Sequence, residues 1–381
     1  MSEILPNQNA AENPVQKQHL SHKKIWTALG ITLLIVSIAG LVYSSKNNST
    51  QSKVTNTTDS TINEPAAKTI VDIGPSPTPM PFRELTVPYL RERSYESNLD
   101  ILELVNTNSN YRSYTTNYNS DGFKINGLLT QPAGEPPEGG WPAVVFVHGY
   151  IPPAQYQTLG APYSAYVDYI ARNGFVVFKI DLRGHGNSEG EAGGGYYGSD
   201  YIVDTLNAYA ALQASSFVNP KKIGLWGHSM AGNVLLRSAV AKSDIPAVVI
   251  WAGAVYSYED MTKYRINDAS YTPPSNDTER QRKRKLLFDT HGQFSAESPF
   301  WKQVAPTNYL DDINSAIEIH HAVDDNVVNI GYSRDLMTLL DKVSVPHQLH
   351  EYSSGGHNIS GGSFNSAMQK TVEFYTKYLG K

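Results

Sequence analysis

Four short stretches of the 381-residue sequence hold residue types that, taken in chain order, suit acyl-transfer chemistry. Gly227-His228-Ser229-Met230-Ala231 follows the mostly apolar "KKIGLW" and precedes an apolar, helix-compatible segment. This is the G-x-S-x-G nucleophile pattern with Ala231 in place of the second glycine. A serine on so sharp a strand-to-helix turn presents its hydroxyl as a nucleophile, although a serine that merely caps a helix leaves the same letters. Downstream, "HHAVDDNVV" supplies an acid, Asp324 or Asp325, and "SSGGHN" supplies His357 on a glycine-rich loop. Among the eleven histidines only His357 combines a loop position with the chain order Ser, Asp, His; His228, beside the nucleophile, should point away from it. Upstream, "VHGY" offers His148-Gly149-Tyr150, so that the backbone N–H groups of Tyr150 and Met230 would hold a developing oxyanion. "DLRGHGNSEG" reads as a loop beside the site that Asp181, Arg183 and His185 organise.

Such residues need a scaffold that brings strand ends together. "YRSYTTNYNSDGFKINGLLTQP" alternates about "SDG" as a β-hairpin does, so antiparallel strands open the domain. Buried strands follow at "AVVFVHG", "FVVFKIDLRG", "KIGLWGHS", "AVVIWAG", "AIEIHHAVDD" and "HQLHEY". Helical segments at 162–173, 200–216 and 230–242 separate several of them. That alternation predicts a largely parallel sheet with helices on both faces, whose ligands lie at the carboxyl ends of the strands. The stretch 254–315 is longer than a crossover requires and predicts a lid insertion before the acid strand. Inside it, "RQRKRK", Arg280 to Lys285, reads as a solvated helix face.

Composition removes other chemistries. With no cysteine there is no disulfide, thiolate nucleophile or cysteine-bound zinc. A net charge of −5 leaves no electrostatic footprint for nucleic acid. Neither an H-E-x-x-H spacing nor a G-x-x-x-x-G-K-[ST] loop occurs, and no cofactor or metal is expected. At the other end of the chain, Ile25 to Tyr43 is free of charge and, as a helix, spans roughly 28 Å, close to the thickness of a bilayer core. It reads as an uncleaved anchor rather than a signal peptide. Lysines at 17, 23 and 24 precede it against 46 and 53 after it, a bias that favours a cytoplasmic N-terminus with the remainder outside. The expected organisation is therefore a tail at 1–24, a transmembrane helix at 25–43, a Ser/Thr/Asn/Pro-rich tether at 44–81 and the folded domain at 82–381.

The motifs "VHGY", "DLRGHGNSEG", "GHSMAG", "SPFWKQVAPTNYLDDI", "HHAVDDNV" and "GGHN" resemble those of α/β-hydrolases of the prolyl oligopeptidase-like serine peptidase group, over roughly residues 111 to 381. The resemblance implies the α/β-hydrolase fold and a Ser229–Asp324–His357 triad, because the family's D-x-x-V pattern matches Asp324-Asp325-Asn326-Val327. Two features depart from the family: His321 stands where a glycine is common, and the oligopeptidase propeller has no counterpart between tether and core. The implied activity is that of a serine peptidase acting on small peptides, with a carboxylic ester hydrolase using the same triad as the alternative. A catalytically silent, membrane-tethered binding module would share the fold; the full constellation argues against it. Oligomeric state is not legible.

Overall fold

The structure, a computed structural model, describes residues 80–271 and 278–380. The expected tail and transmembrane helix, and almost all of the tether, lie outside these residues. Among the described residues no helix is long and apolar enough to cross a membrane.

Nine strands form a single sheet. In chain order they are β1 (Glu103–Thr107), β2 (Tyr111–Ser120), β3 (Phe123–Pro132), β4 (Trp141–Val147), β5 (Val176–Ile180), β6 (Val218–His228), β7 (Ala247–Trp251), β8 (Ala316–Ala322) and β9 (His347–Tyr352). The spatial order is β1-β2-β3-β5-β4-β6-β7-β8-β9. The first three strands and the β3–β5 pair are antiparallel, and every pairing from β5 to β9 is parallel. Asp121 and Gly122 turn the β2–β3 hairpin with φ of 53° and 86°, the left-handed pair that a two-residue turn between twisted strands requires.

The central strands β4, β5, β7 and β8 are buried along their whole length, as parallel strands covered on both faces must be. Side-chain alternation divides their residues between two cores. Val145 and Val147 join one with the helices α3 (Asp200–Gln213), α4 (Ala231–Ala241) and α8 (Gly331–Leu340). Val144 and Phe146 join the other with α2 (Ser164–Arg172) and the C-terminal α9 (Gly362–Leu379). In the second core Trp226 stacks on Phe146 at 4.0 Å between ring centroids and is fully buried. Replacing Trp226 with Ala leaves a large void under the strand that leads to the serine, and is expected to cost about 3–5 kcal/mol, read as a lower denaturant midpoint at unchanged slope.

The β7–β8 connection, where a lid was expected, contains the helices α5 (Asp260–Lys263), α6 (Glu279–His291) and α7 (Pro299–Val304). Thr278 and Ser298 cap α6 and α7 by accepting from Gln281 N and Trp301 N. Most of the basic run on α6 is exposed, as a solvated face should be. Arg280 instead reaches the glycine-rich 189–198 loop, donating to Glu191 O at 2.8 Å and to Asp200 at 3.2 Å. One further helix, α1 (Val87–Glu92), precedes the sheet and is attached by the buried Arg237 of α4, which donates to Leu85 O and Gly198 O.

Candidate active site

Ser229 lies between the end of β6 and the start of α4, with φ of 57°. For a non-glycine residue that conformation costs on the order of 1–3 kcal/mol and persists only where neighbours enforce it. They do so here: Ser229 N donates to Trp251 O at 2.9 Å, and Ser229 O accepts from Gly232 N at 2.9 Å and Ala254 N at 3.1 Å. The small residues of the motif permit this crossing. A Cβ on Gly227 would sit 2.8 Å from the Cβ of Ala231, and one on Gly232 would sit 2.8 Å from Gly253 Cα. Ala231 can thus replace the motif's second glycine because Gly227 opposite it has no side chain. The Ser229 hydroxyl forms no hydrogen bond with a described residue, His357 included; such catalytic contacts are often long before substrate binds.

His357 lies on the loop after β9 and donates from Nδ1 to Asp325 Oδ2 at 2.8 Å, since a carboxylate only accepts. Its Nε2 is thereby left as the bare, basic nitrogen. The aspartate that meets His357 is therefore one residue further along than the family pattern selects: the partner of His357 is Asp325, not Asp324. Val327 and Val328 are consecutive, so D-x-x-V is satisfied from either aspartate. Geometry breaks the tie. A turn closed by Asp325 N on Ala322 O brings the 325 side chain inward, and its Oδ1 accepts from Val327 N and Val328 N. Asp324 points outward and serves the base loop differently, accepting from Gly356 N at 2.8 Å and Gly355 N at 3.3 Å.

Asp325 also has a partner the sequence did not announce. His321, fully buried, places Nε2 3.2 Å from Asp325 Oδ2 and 3.0 Å from Val328 O, while Nδ1 lies 2.7 Å from Ser333 Oγ. Both Nε2 neighbours accept, so Nε2 carries the proton and Ser333 donates to Nδ1. His321 is thus a second donor to the acid. Burial pushes the Asp325 carboxyl up, but the hydrogen bonds from His321 and His357, with those of the backbone, outweigh it and hold it well below the usual carboxylate range.

On the oxyanion side, His148 is buried at the end of β4 and its Nδ1 lies 2.7 Å from Gly149 O. Its Nε2 lies 3.2 Å from Asp181 O, and a neutral imidazole donates to one of the two carbonyls; in the trans Gly149–Tyr150 peptide the N–H points opposite to the C=O that faces His148. The Tyr150 amide is thereby directed away from His148. Neither it nor the Met230 amide donates to an acceptor among the described residues. The neighbouring loop is built as expected. Asp181 accepts from Tyr156 and Thr158, Arg183 is paired with the buried Asp204, and His185 Nδ1 contacts Arg183 O.

Burial, reinforced by His185, brings His148 down to about 3; burial, reinforced by His357, does the same for His228. Unfolded, each would titrate near 6.5. Between about pH 6.5 and 3 the unfolded chain binds protons that the folded chain refuses, so stability falls as pH falls through that window. Urea midpoints at pH 7 and pH 5 are expected to show this loss, and His228→Gln should remove about one proton's share of it. An unchanged pH slope in that variant would show that His228 is not held neutral.

The comparisons agree with this architecture. Residues 142–272 match the family described as serine aminopeptidase, S33. The chain is 26% identical over 247 residues to the uncharacterized peptidase YtmA of Bacillus subtilis, covering 65% of this chain and 86% of that protein. In structure it is similar to the acetyl xylan esterase of Paenibacillus sp. R4, with a TM-score of 0.53 at 18% identity, over 75% of this chain and 91% of that one. It is also similar to a puromycin-hydrolyzing peptidase of Mycobacterium tuberculosis, with a TM-score of 0.55 at 19% identity over 72% of this chain. Only 40% of that longer protein is covered. The sheet order, the serine on its strained elbow and these likenesses converge on an α/β-hydrolase fold, and the chain is similar to serine peptidases and esterases that share it.

Proposed function

We propose that the chain is a serine hydrolase that cleaves small peptides through a Ser229–His357–Asp325 triad and an acyl-enzyme. The observation that carries this reading is the His357 Nδ1–Asp325 contact at 2.8 Å, on the loop that follows the last strand. His357 Nε2 takes the hydroxyl proton of Ser229 as Oγ bonds to the acyl carbon, and Asp325 steadies the imidazolium that forms. The amides of Tyr150 and Met230 donate to the oxyanion. As the tetrahedral species collapses, the scissile bond breaks and His357 returns the proton to the leaving amine or alcohol. Water, deprotonated by the same nitrogen, then attacks the acyl-enzyme, releases the acid and restores Ser229.

Esters are the second reading, since the likeness to the acetyl xylan esterase covers nearly all of that enzyme and the chemistry is shared. A panel of peptide arylamides and aryl esters separates the two: turnover of arylamides supports peptidase action, and turnover confined to esters replaces it. Absence of both turnover and fluorophosphonate labelling would leave a silent binding module.

We further propose, from the uncharged Ile25–Tyr43 segment, that the hydrolase is tethered to a membrane and faces outward. Full-length protein is then expected to resist carbonate extraction, and protease added to intact cells to release the domain. A mature N-terminus between Ala39 and Ser45 would show a cleaved signal instead.

A further inference from the structure

His228 precedes the nucleophile, and its two nitrogens face different catalytic loops. Nε2 lies 2.9 Å from the main-chain oxygen of His357, and Nδ1 lies 2.8 Å from Tyr163 Oη, which in turn accepts from Gly149 N at 2.9 Å. Directions follow from what each atom can do. A carbonyl only accepts, so Nε2 carries the proton; Nδ1 is then bare and accepts from the Tyr163 hydroxyl, whose oxygen accepts the Gly149 N–H. The result is one directed chain, Gly149 N–H to Tyr163 O–H to His228 and on to the carbonyl of His357. Two further features belong to it. Tyr163 is held at φ of 67°, rare for an aromatic residue, and a Cβ on Gly149 would lie 2.7 Å from Tyr163 Oη and 3.1 Å from His228 Nδ1.

Both ends of the chain need holding. The base loop contains Gly355 and Gly356 at φ of 136° and 60°, and the oxyanion loop carries its donor one residue after Gly149. We propose that His228 and Tyr163 are positioning residues that lock the loop carrying the base to the loop carrying the oxyanion amide, so that both catalytic halves stay in register. The proposal rests on the serine hydrolase reading above.

Tyr163→Phe opens the chain and leaves the ring in place; His228→Gln keeps a donor for His357 O; His228→Leu removes both contacts. Each is compared per site titrated by fluorophosphonate, so that misfolded protein does not count. Tyr163→Phe is expected to lower kcat about tenfold and His228→Leu about a hundredfold, with KM within about twofold, because small misplacements of catalytic groups cost rate rather than binding. His228→Gln is expected to recover most of the loss, and adding Tyr163→Phe to it should cost little more, since the two act as one unit. Independently of activity, the imidazole nitrogen shifts of His228 are expected to report the Nε2–H tautomer. Unchanged kcat per titrated site in both Tyr163→Phe and His228→Leu, or an Nδ1–H tautomer, would overturn the relay. Failure of the wild-type chain to be labelled at all would instead overturn the serine hydrolase reading, and the tautomer would still decide the relay.

Discussion

Ser229→Ala is expected to lower kcat by about 10⁶ and to abolish fluorophosphonate labelling, because without the nucleophile the base and the acid have no proton to move. Structure should survive. The hydroxyl has no hydrogen-bond partner among the described residues, and the hydrogen bonds that enforce φ of 57° are made by the backbone. Alanine accepts the same conformation at comparable cost. The variant should therefore unfold within a few degrees of the wild-type Tm, and a residual rate well above background would assign the chemistry to another group.

Asp325→Asn is expected to be the next most damaging change, about 10⁴ in kcat. An amide in place of the carboxylate turns an N–H towards His357 Nδ1, which favours the wrong tautomer and leaves the imidazolium without a counter-charge. It also weakens the acceptor for His321 Nε2, 3.2 Å away. Asp324→Asn should cost no more than about tenfold, since an amide oxygen still accepts from Gly356 N and only the base loop is loosened. The two variants thus separate a catalytic carboxylate from a structural one at adjacent positions. The depressed pKa of Asp325 has a counterpart in stability. That contribution is present above about pH 4, the unfolded carboxyl value, and is lost as pH falls through the lower folded value.

The sequence exposed most of the sheet, because β4 to β9 are short apolar runs separated by turn residues and helices, a pattern with one common solution. Edge strand β1 was not legible: all five of its residues are exposed and it has no apolar periodicity. That Ser229 sits on a turn after β6 and His357 on a loop after β9 could be read because strand ends and glycines mark those places. That His357 meets Asp325 rather than Asp324 could not be read, because two consecutive valines satisfy the same spacing and only the turn on Ala322 O decides which aspartate faces inward. His321 and Tyr163 were missed as participants for a related reason. Their roles depend on partners 12 and 65 residues away, Ser333 and His228, and no local pattern encodes those distances. His228 could be placed away from the serine by strand alternation, but nothing in its neighbours names the carbonyl of His357 as its partner.

Mass spectrometry of the intact chain after reaction with a fluorophosphonate, followed by sequencing of the modified peptide, tests the central claim most directly. One phosphonyl group per chain on Ser229 is expected, formed rapidly in the wild type and Asp324→Asn, slowly in Asp325→Asn, and not at all in Ser229→Ala. A label on another serine, or hydrolysis that continues in a chain fully modified at Ser229, would contradict it.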